Sequence, residues 1–139
     1  MYKEDIDLSW RIRLYGWKIV YCPAAVAYVE RSSKFIDDGG GAKDTISARK
    51  AQCQFVRSSS FKNHRLAIIK NDLPWLFVKH LPWILPREIG VWLYVLFFEP
   101  KTWPAIGELF GQMLQAWKKR KIIMANKKVG ADEMEKWFK

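Results

Sequence analysis

The densest acidic cluster in this chain is Glu4-Asp5-Ile6-Asp7, with Arg11 four residues after Asp7. Spacings of three and four on a helix place Glu4, Asp7 and Arg11 near one face, with Asp5 on a neighbouring one. A carboxylate held in that setting can act as a general base, taking the proton of a hydroxyl as it attacks an electrophile. The same residues also have a purely structural reading. Acidic side chains complement a helix N-terminus and form an ion pair with Arg11, each contributing less than about 1 kcal/mol at a surface.

Other chemistry-bearing residues are more isolated. His64 and His80 have no companion at metal-ligand spacing and read as surface or partly buried helix residues. Cys22 and Cys53 show neither a Cys-x-x-Cys spacing nor a disulfide framework, which fits free thiols in a reducing compartment. The serines at 32–33 and 58–60 lack a nucleophile-elbow pattern, and Gly39-Gly40-Gly41 precedes no Walker or Rossmann fingerprint. Both read as loop material, with a substrate-covering lid as the second reading of the glycine segment.

The acidic cluster must be carried by an element, and two signals compete there. Ile6, Leu8, Trp10, Ile12 and Leu14 alternate as in a strand, whereas acids first, Arg11 and Arg13 last and Gly16 just beyond are the marks of a helix, which we prefer. Residues 17–22 are β-branched and aromatic and stop at Pro23, predicting a strand, with a second over 25–29. Residues 30–44 predict a loop, and from Thr45 the chain turns helix-permissive, ending at Asn71 and Pro74. Five prolines between 74 and 104 predict several helices of one to four turns, none able to cross a bilayer. Residues 105–124 repeat apolar side chains at three- and four-residue spacing and predict an amphipathic helix ending in the basic run Lys118-Lys119-Arg120-Lys121.

The composition limits the partners. Half of the 139 residues are hydrophobic and eight are Trp, too apolar for a disordered segment. Lys and Arg number 24 against 14 Asp and Glu, a formal charge of +10, which favours anionic partners: lipid surfaces, phosphate-bearing substrates or nucleic acid. The opening residues carry no secretory leader pattern. The Trp-, Pro- and Lys-rich stretch from 73 to 121 reads equally as an interfacial membrane anchor and as an ordinary set of core helices.

The order of residues from Tyr2 to Ala25, with Glu4-Asp5-x-Asp7-Leu8, then Trp10-Arg11, Gly16-Trp17 and a segment ending in Pro23, resembles family 2 glycosyltransferases, particularly the rhamnosyltransferase-like ones. The likeness continues more loosely through Phe61-Lys62-Asn63-His64-Arg65-Leu66 and Lys70-Asn71, to about residue 125. It implies an α/β fold: the C-terminal part of a GT-A nucleotide-sugar-binding domain over 1–44, followed over 45–139 by a basic, Trp/Pro-rich helical extension. By the resemblance Asp5 is the general base, Glu4 its acidic neighbour, Arg11 a residue that orients the site, and Asp7 and Trp10 substrate contacts. The implied partners are a nucleotide-sugar donor, a glycan or lipid-linked acceptor and an anionic membrane surface, with no nucleic acid. The implied cofactor is Mg or Mn, held mostly by residues N-terminal to Glu4. The expected setting is cytoplasmic, peripheral on the inner face of the cytoplasmic membrane, in the extension of envelope polysaccharides. The chain is expected to be inactive alone, because the donor-binding Asp-x-Asp would precede residue 4. Val29 and Glu30 stand where the family often has a His. The alternative reading is a non-catalytic basic module that binds an anionic membrane or nucleic acid.

Overall fold

Three acidic residues in the first turn and two arginines in the last make α1 (Glu4–Leu14) electrostatically consistent with a helix, and the computed structural model, which describes residues 3–28, 47 and 49–137, bears out the preference for helix over strand. Ile6 and Leu8 stay exposed while Leu14 is fully buried, so the alternating apolar pattern does not mark one buried face. The helix stops in a Schellman arrangement. Gly16 at φ +79° donates to the Arg13 carbonyl at 2.9 Å, and Trp17 N–H reaches back to the Ile12 carbonyl at 3.1 Å.

The expected α/β fold is overturned: among the described residues there is no strand and no sheet. Residues 17–22, predicted as a strand, run irregular and exposed, with Val20 and Tyr21 more than 80% accessible. β-Branched and aromatic residues favour a strand only by fitting a pleated, paired surface, and no described segment pairs with this one. Of the second predicted strand, residues 25–28 are likewise irregular. The predicted loop at 30–44 lies outside the described residues, as does Val29.

The remaining elements are helical. α2 (Gln54–Asn71) ends at the predicted Asn71 and takes Ser58, Ser59 and Ser60, expected as loop, into its interior. α3 (Pro74–Phe98) is one uninterrupted helix rather than several short ones. Pro74 sits in its first turn, where no amide donor is needed. Pro82 and Pro86 lie inside it, and both side chains are exposed. A proline frees a carbonyl one turn earlier, and on a helix face open to solvent that carbonyl can be hydrated, so the punctuation does not break the helix. A short 3-10 turn (Pro100–Thr102) leads into α4 (Trp103–Ala125), matching the amphipathic prediction, and α5 (Ala131–Glu135) closes the described chain.

Two apolar clusters hold these helices. Leu14 of α1 packs with Leu73, Leu76 of α3, Ile123 of α4 and Met134 of α5, and Trp10 lies against them. Phe61 and Leu66 of α2 pack with Val95 of α3 and with Leu109 and Ala116 of α4. Phe61 meets Trp92 edge to face at 5.1 Å between centroids, a geometry contributing about 1 kcal/mol beyond burial. The segment after α4 is fastened to α1 by Lys128 N–H, which donates to the Leu14 carbonyl at 2.8 Å. That bond satisfies a carbonyl that the helix end leaves unpaired.

Candidate functional site

The first turn of α1 leans on α2. Asp7 Oδ1 accepts from Asn71 Nδ2 at 2.6 Å and pairs with Lys70 Nζ at 2.8 Å, while its Oδ2 pairs with Arg11 at 3.1 Å. Burial raises the Asp7 carboxyl, but hydrogen bonds from Lys70 and Asn71 and the charges of Lys70 and Arg11 outweigh it and hold the group below the ordinary range. Asp7 is therefore engaged in tying α1 to α2, and Arg11 pairs with it from within the same helix. Trp10 is packed into the core. Glu4 and Asp5 are both exposed, and Asp5 Oδ1 accepts the Ile6 amide at 2.9 Å.

A shallow cleft of about 180 Å³ opens beside this turn. Lys3, Glu4 and Asp7 line it from α1, Asn63, Leu66 and Lys70 from α2, and Gln112, Gln115, Ala116 and Lys119 from α4. Amides, ammonium groups and carboxylates around one apolar floor suit hydroxyl-bearing or anionic ligands. The volume is below the roughly 300 Å³ at which small-molecule pockets begin, so it can take part of a ligand. Asp5 is not in the lining, since the helical step from Glu4 turns it away to solvent. Lys3, Gln112, Gln115 and Lys119 carry no pattern in the sequence that marks them out. Lys70 and Asn71 were legible only as a distant part of the family resemblance.

Comparison with protein-family models, with curated proteins and with solved structures returns no match for this chain.

Behind the cleft lies a crowd of cations. Arg65 is buried, stacked over the Phe61 ring at 3.8 Å, donating to the Phe61 carbonyl at 2.7 Å and pairing with Glu88 at 2.7 Å. Burial lowers the Lys3 ammonium, and Arg87, Arg65 and Arg49 lower it further. His64 is pushed down to about 4, first by burial and then by Lys3, Arg87 and Arg65. Glu88, at 4.0 Å from His64, is already engaged by Arg65.

The His64 shift has a stability consequence. An unfolded histidine titrates near 6.5, so between about pH 6.5 and 4 the unfolded chain binds the additional proton and stability falls as the pH drops through that window. Asp7, depressed in the folded state, contributes stability above its ordinary range and loses it only as the pH falls below that range, through its folded value. Denaturation midpoints at pH 7 and pH 4.5 check this: His64→Gln is expected to flatten the loss between them. An unchanged pH slope in that variant would show that His64 does not carry it.

No group of three His, Cys, Asp or Glu side chains gathers among the described residues. Asp7, the most enclosed carboxylate of the motif, already faces two cations, which disfavours a divalent ion.

Proposed function

We propose that this chain supplies the acceptor side of an inverting, family 2-type glycosyltransferase, with Asp5 as general base. The observation that carries the reading is the tie between Asp7 and the Lys70-Asn71 pair. The two stretches that carry the family resemblance, more than 60 residues apart in sequence, meet through charge-assisted bonds, which are about twice as strong as neutral ones. That contact holds the first turn of α1 at a fixed orientation and leaves Asp5 facing solvent, where an acceptor hydroxyl can approach.

In the reaction, the acceptor oxygen forms a bond to the anomeric carbon of the donor sugar while the bond from that carbon to the nucleoside diphosphate breaks. The hydroxyl proton passes to the Asp5 carboxylate, and attack from the opposite face inverts the centre. Acidic groups are favourable at the N-terminus of a helix, and Asp5 stands in the first turn of α1. Glu4 and the cleft amides Asn63, Gln112 and Gln115 are suited to other hydroxyl groups of the acceptor, while the reacting hydroxyl lies outside the cleft, on the solvent side of α1 where Asp5 stands. Donor binding and the divalent ion implied by the resemblance belong to residues outside those described, and no step here depends on them.

The tie itself is the test. Asp7→Asn and Lys70→Met, made in this chain and assayed together with the donor-binding partner that the reading requires, each remove the ion pair and let α1 shift. A small displacement of a catalytic group costs about tenfold to a hundredfold in kcat/KM, and that loss is expected with the circular dichroism spectrum retained. Transfer at the parent rate in both variants would remove the support for this reading.

A further inference from the structure

We propose that the outward faces of α3 and α4 dock on an anionic lipid bilayer, along which the protein lies without crossing it. This does not depend on the glycosyltransferase reading.

On α3, Trp75, Val78, Leu85, Ile89, Leu93, Leu96 and Phe97 are all exposed. Their three- and four-residue spacings put them on one side, opposite the buried Val95. The helix has the length and composition of a membrane span, yet only 6% of its most apolar window is buried. A continuous apolar stripe facing water marks an interaction surface. Spanning is disfavoured by the ion pairs that the helix carries. Glu88 is paired with Arg65 of α2, and Lys79 with Glu135 of α5 at 2.7 Å, so immersion of the whole helix would carry these ion pairs into hydrocarbon.

α4 identifies the partner. Trp103, Phe110, Leu114 and Trp117 are exposed at successive spacings of seven, four and three residues, and the same line runs on four residues later into Lys121, with Lys118 beside it and both lysines exposed. Indole rings ending in ammonium groups on one helical face match the boundary of a bilayer, where rings sit at headgroup depth and lysines meet anionic lipid. The net charge of +10 adds long-range attraction of the same sign. A protein partner would need no such run of lysines at the end of an apolar line.

Flotation of the full chain with vesicles of phosphatidylcholine, alone or mixed with phosphatidylglycerol, tests the proposal. Binding is expected to the mixed vesicles only and to weaken as salt rises. Lys118→Glu with Lys121→Glu is expected to weaken it about tenfold or more, and Leu93→Asn with Phe97→Asn by a comparable factor. All four side chains are exposed, so folding should be preserved. Failure to float with the mixed vesicles would overturn the proposal. So would self-association of the lipid-free protein that the Leu93 and Phe97 substitutions abolish while vesicle binding persists, because a second copy would then cover the face.

Discussion

Glu99→Ala is expected to destabilise the protein by about 3–5 kcal/mol, the usual cost of stripping one partner from a buried ion pair. The Glu99 side chain is only 3% accessible. Arg49 grips it with two bonds, Nε to Oε1 at 3.0 Å and a terminal nitrogen to Oε2 at 2.8 Å. Arg57 lies 3.6 Å from Oε1, and Thr102 donates its hydroxyl to Oε2 at 3.2 Å. Gln54 then links Thr102 to Ser58, so the carboxylate joins the start of α2 to the junction between α3 and α4. Without it, two guanidinium groups are left facing each other with no counter-charge. A chain of this size has about 5–15 kcal/mol of stability in all, so thermal melts should fall by about 10 °C or more. Arg49→Ala and the double variant complete a cycle: the double should be less damaged than the sum of the singles. A melt for Glu99→Ala within a degree or two of the parent would show that the network is peripheral.

This network was not legible in the sequence, and the reason is physical. Arg49, Arg57 and Glu99 lie on segments whose apolar spacing predicts which face turns inward, and periodicity says nothing about which charges meet across an interface. The caps of α1 were legible because they are local: acids at the start, arginines at the end and Gly16 beyond need no distant partner. Residues 17–22 misled because strand preference depends on a neighbour that the described chain does not offer. Pro82 and Pro86 misled because the cost of an interior proline, a lost amide donor and a clash one turn earlier, is tolerated here on a face open to solvent. Within the candidate site, the motif placed Glu4, Asp5, Asp7 and Arg11 on one short helix correctly. It did not separate Asp7 and Trp10, which anchor that helix, from Glu4 and Asp5, which remain exposed.

The separation makes the roles distinguishable. Asp7 is tied to Lys70, Asn71 and Arg11, so its loss acts through the position of α1, and both stability and transfer should fall. Asp5 is exposed at the first turn of α1 and holds nothing else in place beyond its bond to the Ile6 amide, so Asp5→Asn should leave the melt within about 0.5 kcal/mol of the parent. Its effect is expected in catalysis alone. Removing a general base costs about 10²–10⁴-fold, and asparagine keeps the shape while losing the ability to take a proton.

The decisive measurement is kcat/KM for sugar transfer by this chain, assayed together with the donor-binding partner that the proposed function requires, as wild type and as Asp5→Asn, with a thermal melt of each. The predicted result is a loss of about 10²–10⁴-fold with an unchanged melt. Transfer by Asp5→Asn at the wild-type rate would contradict the assignment of Asp5 as the base, and with it the proposed function.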